Sequence, residues 1–406
     1  MTQVDIDFLK RFIQTREGVE ELIKHMMQWG QQNVHTPFSL CKEMISRLQH
    51  YTSLADKKIA VLFNIEFLHV LVNDFGVYID DIIMFADDEV ELEFCKLQYK
   101  MKEGVNLFKI DIENSIKEKE LHTNEGKVTM KFDVVIGNPP YQTASDNKGA
   151  GHTLWDKFVQ ISLDLTQENG HMCLVHPAGW RRPTGEFVNL GKIMQKKQIK
   201  YLEIHSIEDG EKTFGACTRY DWYVLENSPN YENTVVVGED GDVEEINLLN
   251  LPCIPNGKFR QILNLLAKSE KDKINLISDR SNYGADKSHM SKTQTVEFKY
   301  PCIYFLPKKG IQLRWSNTNK NGHFGVPKVI FSNGAACEIL CDETGKYGLT
   351  QWAYGVVDEN KNLPLIKQAM ESEAFVKLCK YMRFTLDLYD VRFISCLRKD
   401  FWKEFL

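Results

Sequence analysis

Between Ile59 and Leu225, short uninterrupted apolar runs alternate with stretches whose apolar residues recur every three or four positions. Ile59–Phe63, Ile82–Phe85, Asn106–Asp111, Phe132–Gly137, Met172–Pro177, Ile199–Ile204 and Tyr220–Leu225 have strand length. A run that is apolar at consecutive positions must be covered on both faces. Phe67–Phe75, Leu92–Tyr99 and Trp155–Leu165 carry helical spacing between those runs. The alternation predicts an α/β fold, a doubly wound Rossmann-like sheet, mostly parallel, with helices on both faces. Such sheets bind ligands beyond the carboxyl ends of their strands.

Two helices are expected ahead of the first strand. Val4–Gly30 places Phe8, Phe12, Val19, Leu22, Ile23 and Met26 at helical spacing, with Met26-Met27 read as core packing. Leu40, Met44, Ile45 and Leu48 form the second pattern, and Thr36 before Pro37 fits an N-cap with proline at the first helical position. The regular alternation breaks near Asn227-Ser228-Pro229-Asn230. Beyond Pro252 and Pro255 come Gly, Asn, Ser and Lys clusters and short strands such as Lys328–Ser332, then helical segments Leu363–Tyr381 and Asp390–Phe405. The expected division is a first domain over 1–230 and a mixed α+β domain over 251–406.

Charge sharpens that division. Residues 251–406 hold 24 Lys and Arg against 16 Asp and Glu, whereas residues 1–250 hold 26 against 40. A basic second part behind an acidic first part suits contact with a polyanion. No stretch of 18 apolar residues occurs, and the first residues lack a basic and then apolar leader, so neither a membrane span nor secretion is expected. The ten cysteines are scattered and only Cys337 and Cys341 are close, so reduced thiols, no metal site and a cytoplasmic setting are expected. His152, His171, His176 and His205 are too far apart in sequence to argue a metal set.

The chemistry concentrates in Asn138-Pro139-Pro140-Tyr141, directly after the fourth strand. Two adjacent prolines stiffen the turn and cannot extend the strand. The Asn138 side chain and the Pro139 carbonyl can then accept two hydrogen bonds from one exocyclic amino group. That raises electron density on a planar nitrogen and eases its attack on a methyl donor. Tyr141 offers a flat face on which a base can stack.

This segment resembles motif IV of the gamma-class N6-adenine DNA methyltransferases of restriction–modification systems, which carry an Asn-Pro-Pro-Tyr turn. The resemblance spans about residues 30–227. It implies S-adenosylmethionine as cofactor, double-stranded DNA as substrate and a flipped-out adenine as target. It implies that Asn138, Pro139, Pro140, Tyr141 and Phe214 form the catalytic set, with Tyr141 and Phe214 on either side of the base. It also implies that His35, Thr36 and Pro37 cover the methionine part of the cofactor. Asp87 and Asp88 take its ribose and Asp111 its adenine. The second domain would read the target sequence with Gly310–His323 and above all Arg314, while Lys308 and Lys309 would contact phosphates. A separate restriction endonuclease, a bacterial or phage origin and a monomer or dimer complete what the resemblance implies.

One departure stands out. The family's first motif is an acid followed by a Gly-rich turn, but here the first strand ends in Phe63-Asn64-Ile65-Glu66-Phe67 without glycine. Asn64 and Glu66 remain to hold the cofactor's ammonium. The alternatives are an RNA or protein-glutamine amino methyltransferase, or a non-catalytic DNA-binding relative. Asp209-Gly210-Glu211-Lys212 is read as an acidic loop and not a nuclease site, and the two domains leave no room for a nuclease domain.

Overall fold

The computed structural model describes residues 35–142, 153–279, 287–308, 310–332, 334, 337–384 and 387–406, together with Gly18 and Glu21. The helix expected over Val4–Gly30 lies, apart from those two residues, outside the described ones, as do His152 and Lys309.

The chain divides into two compact units, one running to Trp180 and over Glu186–Leu251, the other formed by Arg181–Gly185 and Pro252–Leu406. The first unit is built on β1 (Ile59–Leu62), β2 (Ile82–Ala86), β3 (Leu107–Lys109), β4 (Phe132–Gly137), β5 (Thr166–Pro177), β6 (Lys197–Ile204), β7 (Tyr220–Pro229), β8 (Thr234–Val237) and β9 (Val243–Ile246). They form one sheet in the order β9-β8-β6-β7-β5-β4-β1-β2-β3. Strands β1–β5 are mutually parallel where they pair, and β7 runs antiparallel between β5 and β6. Every residue of β1 and β2 is buried. Alternate residues of these strands, Ile59, Val61, Ile82 and Met84, share one core with Val134 and Ile136 of β4. The residues between them are buried as well, as coverage of both faces requires.

The helices named here are α1 (Phe38–Gln49), α2 (Ile65–Asn73), α3 (Glu89–Tyr99), α4 (Ile112–Glu118), α5 (Trp155–Leu165), α6 (Val188–Gln195) and α7 (Ile207–Phe214). In α1, Leu40, Cys41, Met44, Ile45 and Leu48 make the buried stripe. The expected Thr36 cap does not form. Pro37 occupies the cap position, no side chain caps the helix, and the Thr36 hydroxyl is used elsewhere. Asp209–Lys212, expected in a loop, lies in α7, which Ser206 caps by accepting from the Asp209 N–H.

The first unit also runs past the expected end at residue 230. β8 pairs parallel to β6, and β9 pairs antiparallel to β8, so residues through Leu251 belong to the first sheet's unit. Arg181–Gly185 leaves the first unit for the second. There the Arg181 guanidinium is fully buried, donates to the carbonyls of Ile254 and Pro255 and to Asn256 Oδ1, and lies 5.0 Å from the Phe384 ring centroid.

The second unit is mixed α+β. β10 (Asn275–Ser278), β14 (Lys328–Ser332), β15 (Leu340–Asp342) and β17 (Ala353–Val357) form an antiparallel sheet in the order β10-β17-β14-β15. β11 (Met290–Ser291), β12 (Tyr300–Phe305), β13 (Gln312–Ser316) and β16 (Gly348–Leu349) form another in the order β11-β13-β12-β16. The expected helix over Leu363–Tyr381 is interrupted at Ser372, which caps a second helix, so α9 (Leu363–Glu371) and α10 (Glu373–Cys379) follow α8 (Phe259–Leu265). The segment expected as helix over Asp390–Phe405 holds only α11 (Val391–Ile394) and a 3₁₀ turn at Phe401–Phe405. Lys328 Nζ and Asp342 Oδ2 pair at 3.2 Å in the interior, and Lys328 also donates to the carbonyls of His323 and Val326. All three ammonium protons are thereby used, which is what a buried lysine requires.

Candidate active site

The strand order fixes where a site can form. From β1 the chain proceeds to β2 and β3 on one side of the sheet and returns to β4 and β5 on the other. The switch point therefore lies between β1 and β4, and open α/β sheets bind ligands outside it. Leu62 is paired with Gly137 at the carboxyl ends of these two strands. Phe63-Asn64 and Asn138-Pro139 consequently leave the sheet side by side.

The Asn138–Pro140 turn is buried, and Tyr141 is half-buried. The Tyr141 carbonyl accepts from the Leu154 N–H at 3.1 Å, which anchors the exit of the turn. Burial pushes the Tyr141 phenol above its ordinary range, so the ring stays neutral. Phe214, the last residue of α7, lies 6.5 Å from the Tyr141 ring at an interplanar angle of 70°. The two rings expected around a base are thus neighbours but meet edge to face. A base stacked between them needs parallel rings roughly 7 Å apart, twice a van der Waals contact. Phe214 also meets the Tyr220 ring at 4.8 Å and 83°.

At the end of β1, Phe63 adopts φ +72°, a conformation that glycine takes at little cost. Its N–H still donates to the Phe85 carbonyl at 2.8 Å, and the following Asn64 N–H turns back to Leu62 O. The buried Phe63 ring packs edge-on against Phe158 of α5 at 4.8 Å. The glycine-free first motif thus makes a left-handed turn with a phenylalanine, held there by packing.

Asn64 stands at the N-cap of α2 but does not cap it with its side chain. Its Oδ1 accepts from Thr36 Oγ1 at 2.9 Å, and Thr36 Oγ1 accepts from Asn138 Nδ2 at 3.1 Å. Glu66, in the first turn of α2, lies 2.7 Å from His35 Nδ1. His35, Thr36, Asn64, Glu66 and Asn138, separated widely in sequence, are therefore one buried cluster. Asn64 Nδ2 and Glu66 Oε2 are buried and have no partner among the described residues. A lone buried donor and a lone buried acceptor two residues apart in the chain suit a zwitterion, with its carboxylate on the amide and its ammonium on the carboxylate. That is the chemistry of an α-amino acid moiety.

The acids after β2 and β3 have local duties. Asp88 caps α3, its Oδ1 accepting from the N–H groups of Val90 and Glu91. Asp111 caps α4 and accepts from the Asn114 backbone and side chain, which hold its carboxyl below the ordinary range. Asp87 is half-buried directly after β2. The buried Glu91 was not singled out in the sequence. Desolvation, reinforced by Glu66, Asp87 and Asp88, raises its carboxyl well above the ordinary range. In the second unit, Arg314 is half-buried, with its guanidinium 3.9 Å from the Tyr304 ring centroid, and Lys308 is exposed. Among the described residues no group of three or more His, Cys, Asp or Glu is placed to hold a metal ion. No helix among them is long and apolar enough to cross a membrane.

Residues 41–214 match the Eco57I restriction-modification methylase family, a little under half of the chain. That matched segment holds β1–β6 and the turn Asn138–Tyr141. A curated protein of Mycoplasma pneumoniae described as an "Uncharacterized adenine-specific methylase" is 40% identical over 88 residues, 20% of this chain and 20% of that protein. The chain thus matches only a fifth of that relative's length. Among solved structures, a class I S-adenosylmethionine-dependent methyltransferase of Listeria monocytogenes aligns over 55% of this chain and 71% of its own, with 16% identity and a TM-score of 0.39. The type IIG restriction endonuclease BpuSI aligns over 95% of this chain and 62% of its own, with 11% identity and a TM-score of 0.48.

Proposed function

We propose that the protein is a site-specific DNA adenine-N6 methyltransferase that uses S-adenosylmethionine, of the restriction–modification type. The observation that carries this reading is the pairing of two groups at the β1–β4 switch point. The orphaned amide and carboxylate of Asn64 and Glu66 lie on one side, and the Asn138–Tyr141 turn on the other. The family match over 41–214 and the adenine-specific description of the partial relative support it.

S-adenosylmethionine supplies an electrophilic methyl group when bound. Asn64 and Glu66 would hold its amino-acid end, with His35 fixing the Glu66 carboxylate. Asp87, the remaining oxygen of Asp88, and Asp111 would hold its nucleoside end. Asn138 Oδ1 and the Pro139 carbonyl would accept from the two hydrogens of the adenine amino group. These bonds keep the nitrogen lone pair available for attack. A face of Tyr141 would carry the base, with Phe214 turning to meet it. Adenine inside a duplex is out of reach, so the base must leave the stack, and the basic residues of the second unit would grip the surrounding DNA. A separate endonuclease is the further partner this reading implies.

The test is single-molecule sequencing of DNA from cells expressing the protein, read for modified adenines. N6-methyladenine at one recurrent sequence, absent from cells expressing Asn138→Ala, is the expected result. Unmodified adenines throughout would overturn the reading. Loss of one positioned hydrogen-bonding group costs on the order of a hundredfold in rate.

A further inference from the structure

We propose that Thr36 is a positioning residue. Its single hydroxyl proton ties the orientation of the Asn138 carboxamide to that of the Asn64 carboxamide. An acceptor bound at Asn64 then presets Asn138 with its oxygen toward the target amine. The proposal rests on the function above for the identity of that amine and of the ligand at Asn64.

Thr36, Asn64 and Asn138 are all buried, so water cannot replace the bonds among them. A hydroxyl has one proton. Thr36 gives it to Asn64 Oδ1 and so meets Asn138 with a lone pair, which only an N–H can fill. If Asn138 alone turned over, two oxygens would face each other with no proton between them. If Asn64 alone turned over, Thr36 Oγ1 would have to accept from both amides and its own proton would lose its buried acceptor. Through Thr36, only matched orientations of the two amides use every hydrogen-bonding group of the three side chains that meet there, so the orientations are coupled. The diversion of Asn64 from capping its own helix shows that Thr36 has displaced its usual local partner.

A ligand chooses between the two matched states. The buried Asn64 Nδ2 suits a carboxylate. Once Nδ2 donates to a carboxylate, Asn64 Oδ1 must accept from Thr36. Thr36 must then accept from Asn138 Nδ2, which leaves Asn138 Oδ1 on the opposite side as the acceptor for an amine. The opposite state would set an amide N–H2 against the amino group, donor against donor. Occupancy of the amino-acid subsite therefore prepares the catalytic amide across a single side chain.

The experiment follows the Asn138 carboxamide by nitrogen-15 NMR in the full chain with asparagine labelling, assigned through Asn138→Ala. Three samples are compared: ligand-free protein, protein with S-adenosylhomocysteine, and protein with methylthioadenosine, which lacks the amino-acid group. The Asn138 signal is expected to shift with S-adenosylhomocysteine and not with methylthioadenosine. Thr36→Val, which keeps the shape and removes the hydroxyl, should already move the ligand-free Asn138 signal and abolish its response to ligand. Thr36→Ser should restore both. Asn64→Asp offers only acceptors at that position, so it should hold Asn138 in the preset state without ligand, independent of how Thr36→Val folds. Methylation by Thr36→Val should fall on the order of tenfold in kcat, the effect of one hydrogen bond, with a smaller change in cofactor affinity. An Asn138 signal unchanged in ligand-free Thr36→Val, or equally responsive to S-adenosylhomocysteine with and without the hydroxyl, overturns the relay. Failure of S-adenosylhomocysteine to bind the wild-type protein overturns the proposed function instead, and the ligand-free spectra still decide the relay.

Discussion

The backbone oxygen of Leu62 occupies the space that a side chain on Gly137 would need. A Cβ at Gly137 would lie 2.2 Å from that oxygen and 3.1 Å from the Leu62 Cβ. The two residues are register partners at the carboxyl ends of β1 and β4, so the close approach sets the spacing of the two exits that build the site. Gly137→Ala has to push backbone, not a flexible side chain. It should destabilise the fold by about 3 kcal/mol, the upper end for overpacking. Urea unfolding of the variant against wild type checks this, and a cost under about 0.5 kcal/mol would show that the strands separate easily.

Phe63 tests how the glycine-free turn is held. Its φ of +72° costs roughly 1–2 kcal/mol for a residue with a Cβ. Its buried ring, packed on Phe158, is worth roughly 3–5 kcal/mol against alanine. Packing wins, so both Phe63→Ala and Phe63→Gly should be less stable than wild type. Glycine should be the better of the two by about 1 kcal/mol, the reverse of the usual order at ordinary backbone angles. Thermal or denaturant unfolding of the pair checks the order, and alanine proving more stable would mean that the turn is not strained.

These two positions show what the sequence could disclose. The strands β1, β2, β4, β5 and β7 were legible because their apolar runs are buried, β3 and β6 from shorter apolar patterns, and Trp155–Leu165 matches α5 residue for residue. β8 and β9 were not legible. Thr234–Val237 is a four-residue run, and Val243–Ile246 has two adjacent glutamates in its middle. α7 was missed because its amphipathic face buries only Gly210, although Ser206 three residues before Asp209 was a readable cap signal. Asn138–Tyr141 could be read because its chemistry is contiguous in sequence. The role of Thr36 could not, since its partners lie 28 and 102 residues away and its neighbour Pro37 suggested a cap. His35 on Glu66 and Arg181 in the second unit are likewise long-range pairings without a local signature.

His176 makes folding pH-dependent. It is fully buried, 3.1 Å from the Tyr223 hydroxyl and stacked on Trp155 at 4.7 Å. Burial pushes its imidazole down from 6.5 to about 4. The unfolded chain therefore binds a proton below pH 6.5 that the folded chain refuses until about pH 4. Its contribution to stability is complete above pH 6.5 and is lost as pH falls toward 4, by on the order of 3 kcal/mol. Urea midpoints between pH 7 and pH 4.5 should fall more steeply for wild type than for the non-titrating His176→Phe. Equal slopes would show that the folded His176 imidazole takes up its proton over the same pH range as the unfolded chain.

The second unit should carry the choice of DNA sequence, and two kinds of basic residue in it should behave differently. Arg314 is held flat, with its guanidinium over the Tyr304 ring and one N–H on the Leu313 carbonyl, in a strand whose neighbour Gln312 is exposed. A planar guanidinium fixed in this way can present its terminal edge to a base with little entropy left to lose. Bidentate contact of that kind discriminates between bases by roughly 1–3 kcal/mol. Arg314→Ala should therefore relax the methylated sequence at one position. Lys308, exposed in the loop between β12 and β13 of the same hairpin, has no such constraint and would act as a phosphate contact. Lys308→Ala should weaken binding to every sequence alike and lower the slope of log affinity against log salt by about 1. Methylation patterns of the two variants, with salt titrations of DNA binding, separate the roles. If Arg314→Ala leaves the methylated sequence intact and changes only the salt slope, base recognition lies elsewhere in the chain.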